Sequence, residues 1–287
     1  MKIPIYAPKS SSPPLRRKPS LFAPGLLLSA LLCSLGCAGK DNHADSAINY
    51  AENAKHDYEE AMEAFDSKNW ETSDQLMNEV RRKYGYSRYA RLAELRLADA
   101  HFQQDKFAEA VAGYKSFVHD YPNDPEVQYA RYQVAKAQYE SVSPSPLLPA
   151  LEERDLASVN DAHATIRKFL NDYPDSSHSQ ELEYMQAVVT GLLARHELYV
   201  ARFYLDKSNF GAATARIEYS LHAFPNSDLE PEALVLLAEV YMKQKERGKA
   251  RELLTHVIHH YPDSAFIVPA KHFLEELGEP TGTLRMN

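Results

Sequence analysis

The sequence predicts an all-α protein: a solenoid of five stacked helix pairs closed by a short C-terminal capping helix. Three observations carry this. The 287 residues include only 10 glycines and run through long stretches of Ala, Leu, Glu, Lys and Arg, which favour helix over sheet. An aromatic–proline–amide/acid corner recurs as "HDYPNDP" from His119, "NDYPDSS" from Asn171, "HAFPNSD" from His222 and "HHYPDSA" from His259. Residues before the corners also fall in register. Ala98, His101, Ala110, Tyr114, Phe117 and Pro122 match Ala238, Tyr241, Ala250, Leu254, Val257 and Pro262 without a gap.

The chain opens differently from the rest. Residues 1–36 carry Lys2, Lys9, Arg16, Arg17 and Lys18 and no acid, then the apolar run "LLLSALLCSLG" from Leu26 to Gly36. A basic stretch, an apolar run and small residues make a secretory signal, and the run is shorter than the roughly 20 residues that span a bilayer. Cys37 follows Ser34-Leu35-Gly36, similar to a bacterial lipoprotein signal in which the Cys is lipidated, although Ser34 stands where Leu is usual. Residues 37–45 then form the lipidated linker, and no cofactor beyond the covalent lipid on Cys37 is expected. Both cysteines, Cys33 and Cys37, lie here, so the folded part has none for a disulfide. The net charge of −8 becomes about −13 once the five leading cations leave with the signal; nucleic acid is excluded as a partner.

The solenoid is expected over 46–280, with N-terminal repeats in 46–175 and C-terminal repeats in 176–280, and a tail over 281–287. Proline has no N–H and disfavours α geometry in the residue before it, so each corner ends a second helix. The Asn or Asp that follows, with a nearby Ser or Asp, caps the next helix. Ala61, Ala64, Ser73, Met77 and Val80 repeat the pattern before Gly85, and Ala201, Tyr204, Ala213, Ile217 and Ser220 before Pro225. Small residues recur where two helices cross closely, and large apolar ones where one pair covers the next. In unit three, 15 residues are inserted around "SPSPLLPALEERD", whose three prolines forbid a continuous helix. In unit four the extra length is one first helix of about 30 residues from "SQELEYMQ" to "DKSN". The segment "FIVPAKHFLEEL" caps the stack.

This unit resembles the tetratricopeptide repeat. The order of features is more specific: five pairs behind a lipoprotein signal, a proline-rich insertion in pair three and a long first helix in pair four. Together they resemble the BamD family, lipoproteins of the β-barrel assembly machinery, over roughly Ala44 to Leu277. The resemblance implies a non-enzymatic scaffold on the periplasmic face of the outer membrane, held by its lipid. It implies C-terminal repeats that dock onto a POTRA domain of BamA, contacts with other Bam lipoproteins, and N-terminal repeats that receive unfolded outer-membrane β-barrel clients. It assigns Arg216, in "TARIEYSL", to the BamA contact. A different periplasmic repeat lipoprotein, associated with Tol–Pal or with peptidoglycan, would share the corners without the fixed insertion.

The first helix of each pair lines the concave face of such a stack. The repeat register places Lys55, Tyr58, Met62 and Phe65 there in pair one, and Leu92, Leu95, Asp99 and Phe102 in pair two. Pair three contributes Tyr129, Tyr132, Lys136 and Tyr139. Rings with Met, Leu and lysine among them suit an extended strand that ends in an aromatic and a carboxylate. Half of these aromatics are expected to pack on the neighbouring pair instead. Pair four offers Arg195, Leu198, Arg202 and Asp206, so the lining changes character. His256, His259 and His260 share a helix face but have no Cys or carboxylate beside them; they read as histidines at a helix C-terminus, and no metal is expected. No phosphate loop and no G-x-S-x-G is present, and catalysis is not expected.

Overall fold

The computed structural model of the chain describes residues 42–142, 156–225 and 227–278. The expected signal, Cys37, the core of the pair-three insertion and the 281–287 tail lie outside the described residues. The described residues hold eleven helices. They pair as α1 (Asn42–Asp66) with α2 (Trp70–Lys83), α3 (Arg88–Gln103) with α4 (Phe107–Asp120), and α5 (Val127–Glu140) with α6 (Ala157–Asp172). Then come α7 (Ser179–Asp206) with α8 (Phe210–Ala223), α9 (Glu230–Lys243) with α10 (Arg247–His260), and a last helix α11 (Ile267–Leu277). The described residues are thus all-α and form five pairs and a cap. α1 begins at Asn42, inside the span read as linker.

Side-chain size positions each pair. Ala98 and Ala110, Ala135 and Ala162, Ala201 and Ala213, and Ala238 and Ala250 are all buried. The larger residues that follow cover the next pair. Tyr114 and Phe117 of α4 pack with Val127, Ala130 and Val134 of α5. Ile217 of α8 packs with Ala233, Leu236 and Leu237 of α9. Leu254 and Val257 of α10 pack with Ala270 and Leu277 of α11. Each such fully buried side chain contributes about 1.5–3 kcal/mol. α7, 28 residues long, serves two clusters: Leu182, Met185 and Val189 pack with Ile166 and Phe169 of α6, while Leu198 and Ala201 face α8 and α9.

The corners work as turns closed from behind. The N–H of the residue three beyond the aromatic donates to the aromatic's carbonyl: Asp124 to Tyr121 at 3.0 Å, Ser176 to Tyr173 at 3.1 Å, Ser264 to Tyr261 at 3.0 Å. Proline occupies the second turn position, which its fixed φ suits. The side chains of Asp124, Ser176 and Ser264 accept from the N–H two residues on, so they shape the approach to the next helix rather than cap it directly. Ser87, three residues beyond Tyr84, is by contrast a true N-cap of α3, accepting from Ala90 N–H at 3.0 Å. Tyrosine at the corner has its own task. Tyr84 Oη donates to Asp57 at 2.9 Å and Tyr121 Oη to Glu94 at 3.3 Å, each tying the end of a second helix to its own first helix. Burial, with a hydrogen bond to Glu230, pushes the Tyr261 hydroxyl up to about 12.

The turn within a pair is also a repeated device. Lys68, Asp105, Ser208 and Lys245 all have positive φ, between 57° and 68°. In each case that N–H bonds three residues back and the next N–H five back, as in Lys245 to Met242 at 3.0 Å and Glu246 to Tyr241 at 2.8 Å. This is a Schellman stop, which usually employs glycine. A side chain there costs about 1–2 kcal/mol, partly offset because glycine loses more entropy on folding. Lys68→Gly, at an exposed turn, is therefore expected to raise the unfolding free energy by roughly 0.5–1 kcal/mol. Denaturant titration checks this; a neutral or destabilising result contradicts the strain argument.

Candidate functional site

α1, α3 and α5, the first helices of three successive pairs, enclose a cleft of about 360 Å³. Its lining includes Tyr58, Met62, Phe65, Phe102 and Tyr129, five of the residues expected there from the repeat register. The rings are braced from behind. Tyr58 lies 5.5 Å from Tyr89, Phe65 5.4 Å from Trp70 and Phe102 5.5 Å from Phe107, centroid to centroid. Such contacts hold apolar anchors in place before any ligand arrives.

The cleft floor is polar. Asp99 is only 5% exposed. Its Oδ1 accepts from Tyr114 Oη at 2.6 Å and Tyr129 Oη at 3.0 Å, and its Oδ2 accepts from Arg96. Gln133 Nε2 donates to Tyr129 Oη at 2.7 Å, while its Oε1 is buried with no partner. Burial opposes the charge on Arg96, yet Asp99 outweighs it and holds the guanidinium above its usual pKa. Burial and then Asp99 push the Tyr129 hydroxyl up to about 12. Arg96 bonds Asp99 and also Tyr58, and a guanidinium has five N–H donors. The cleft therefore offers apolar rings, a fixed cation and a free amide acceptor, a set suited to a peptide main chain and an anionic end.

Six residues that the register places on this face do not line the cleft: Lys55, which pairs with Glu59 at 3.5 Å, Leu92, Leu95, Tyr132, Lys136 and Tyr139. Leu95 is fully buried in the core cluster with Ala98 and Tyr114; it supports the cleft from beneath. Tyr132 is 5% exposed. Its ring stacks on His178 at 3.8 Å and its hydroxyl donates to Glu181 at 2.6 Å. Lys136 pairs with the same carboxylate at 2.9 Å, and Tyr139 packs on the α5–α7 core. These three join pair three to the start of the long helix α7. Burial opposes ionisation of Glu181, but hydrogen bonds from Tyr132 and Lys136 outweigh it and hold the carboxyl below its usual range. Arg96, Gln103 and Gln133 line the cleft without having been singled out in the sequence. The available signal was Arg96 three residues before Asp99, one helical turn on the same face.

In pair four, Arg216 of α8 is exposed and donates to Glu197 of α7 at 2.9 Å. Tyr199, Phe203 and Tyr219 are exposed on the same two helices. Arg202 bonds Glu232 of α9 at 2.7 Å, and Leu198 is buried. Among the described residues no helix is long and apolar enough to cross a membrane.

A stack of helix pairs with a ring-lined cleft on its first helices defines a helical-repeat solenoid protein. A family model described as "Outer membrane lipoprotein" (YfiO) matches residues 50–253, and the chain belongs to this family. A relative from Caulobacter vibrioides, outer membrane protein assembly factor BamD, is 26% identical over 262 residues, covering 91% of this chain and 82% of the relative. The protein of the same name from Neisseria gonorrhoeae is 24% identical over 249 residues, covering 86% and 91%. Among solved structures, the TPR2AB domain of yeast Sti1 is 11% identical with a TM-score of 0.43 over 78% of this chain and 85% of that one. A Thermus thermophilus TPR protein is 13% identical with a TM-score of 0.35 over 77% and 99%.

Proposed function

We propose that this chain is a scaffold lipoprotein of the machinery that assembles β-barrel proteins in the outer membrane. The observation that carries the reading is its likeness, along nearly the whole chain, to proteins named assembly factor BamD. On this reading a lipid on Cys37 holds it to the periplasmic face, and its work is binding rather than catalysis. Unfolded barrel clients enter the α1–α3–α5 cleft, where the rings take side chains and Arg96 takes a terminal carboxylate. The α7–α8 surface around Arg216, with Tyr199, Phe203 and Tyr219 beside it, docks a BamA POTRA domain, and further Bam lipoproteins attach elsewhere.

The two sites are separable by a crossed measurement. Phe102→Ala removes a cleft ring and is expected to weaken capture of a C-terminal barrel-signal peptide by about 1–3 kcal/mol, leaving POTRA binding intact. Arg216→Glu reverses the charge beside Glu197 and is expected to weaken POTRA binding by at least about tenfold while sparing the peptide. Equal loss of both partners in both variants would sink the two-site reading. For the anchor, Cys37→Ser is expected to release the protein from outer-membrane fractions of cells that lack its partners; continued pelleting contradicts lipidation there.

A further inference from the structure

A second cavity, of about 350 Å³, opens among α4, α5 and α6, on elements that contribute nothing but α5 to the cleft described above. Its walls are apolar: Val118 from α4, Val134 from α5, and Ala164 and Phe169 from α6. Val134 and Phe169 are only 5% and 3% exposed, so the floor is part of the rigid core. Around these walls stand three cations from three helices, Lys115, Arg131 and Lys168, with Thr165 and one carboxylate, Asp172. Asp172 pairs with Lys168 at 2.9 Å and with Arg131 at 3.5 Å. Lys115 makes no ion pair among the described residues, and Arg131 Nε is buried with no hydrogen-bond partner. Three positive charges against one negative stand out on a chain whose net charge is −8.

The sealed Nε is out of a ligand's reach, but the rest of the Arg131 side chain is about a third exposed, and Lys115 beside the cavity has no counter-ion among the described residues. A carboxylate is the acceptor that a guanidinium edge and a nearby ammonium select, and an apolar floor selects a bulky side chain next to that carboxylate. The volume is at the low end for ligand sites, room for one or two bulky side chains but not for a long acyl chain. The cations are also spread over three helices instead of gathered at one end, which matches charges along a chain better than a single headgroup. We propose that this cavity is a docking site for a partner's peptide segment in which a Leu or Phe anchor is flanked by acidic residues. It is a site apart from both surfaces of the assembly reading.

The test uses the full-length protein in detergent and a fluorescein-labelled octapeptide with a central Leu-Phe pair flanked by glutamates. Binding is followed by fluorescence anisotropy. Saturable binding is expected, weakening as salt rises because the rim charges are screened. Arg131→Gln and Lys115→Glu are each expected to weaken it by at least about tenfold, the loss of a charge-assisted contact. Ala164→Trp, at an exposed wall position, fills the cavity and abolishes binding while circular dichroism and thermal unfolding stay unchanged. Phe102→Ala, in the other cleft, has no effect on this peptide. A lysine-flanked octapeptide with the same centre does not bind. The proposal is overturned if the glutamate peptide fails to bind, or if Ala164→Trp leaves binding intact. It is also overturned if dodecanoate competes as well as unlabelled peptide, which makes the site a lipid site. Self-association lost in Ala164→Trp would overturn it in favour of a second copy of the chain.

Discussion

Asp99→Ala is expected to lower the unfolding free energy by about 3–5 kcal/mol, the cost of removing one member of a buried charge pair. Asp99 joins three helices at once. It lies on α3 and accepts hydroxyl hydrogens from Tyr114 of α4 and Tyr129 of α5, and a guanidinium hydrogen from its own-helix neighbour Arg96. Tyr114 is completely buried. Truncation leaves the sealed Tyr114 hydroxyl without its acceptor and the partly buried Arg96 guanidinium, at the cleft edge, without its counter-ion. Asp99→Asn keeps one acceptor oxygen and is expected to cost less than Ala. Urea titration followed by circular dichroism measures both. An Asp99→Ala protein within about 1 kcal/mol of the parent would show the network to be decoration. Because Arg96 and Tyr129 also line the cleft, the same change is expected to weaken client-peptide capture even where the protein stays folded.

The elements of this network show where sequence reading succeeds and stops. Position is legible: the repeat register places Asp99, Tyr129, Tyr58, Met62, Phe65 and Phe102 on the faces where the structure has them, because helix pairs repeat a fixed geometry. Depth is not legible in the same way. Leu95 and Tyr132 share the periodicity of the lining residues, but that stripe continues onto the side that the neighbouring helix covers. Whether a ring faces the cleft or the next pair depends on what packs beside it, and at pair three the start of α7 brings His178 and Glu181 against Tyr132 and Lys136. Hence Tyr132, Lys136 and Tyr139 bind pair three to α7 in place of lining the cleft. Arg96 escaped notice because a single arginine in a charged helix reads as solvated; only its pairing with a buried carboxylate marks it. The turns at Lys68, Asp105, Ser208 and Lys245 were equally hidden, since no glycine announces their left-handed residue. The position of the corners was legible, because proline acts on the local chain alone; the expected side-chain cap was not, since Asp124, Ser176 and Ser264 bond only two residues on.

The close crossing of α3 and α4 gives the second large effect. Gly113 lies within α4, where an alanine would favour helix by about 1 kcal/mol. A Cβ on Gly113, however, would come within 2.8 Å of the Ala98 Cβ. Neither methyl has a torsion that relieves the overlap, so the helices themselves must separate. Gly113→Ala is therefore expected to destabilise despite its better propensity, and Gly113→Leu to cost 1–3 kcal/mol or somewhat more, roughly the range for overpacked cores. The partner identifies the cause. In the double variant Gly113→Ala with Ala98→Gly the overlap disappears, so the loss is expected to be smaller than the sum of the two single losses. That difference is the coupling a double-mutant cycle isolates. The damage is also expected to stay local, because units of a solenoid touch mainly their neighbours. Native-state hydrogen exchange in Gly113→Leu is expected to show faster exchange in α3 and α4, with α9 and α10 close to the parent. Greater stability of Gly113→Ala would show that propensity wins over the clash, and uniform loss of protection through α10 would show that the stack unfolds as one unit.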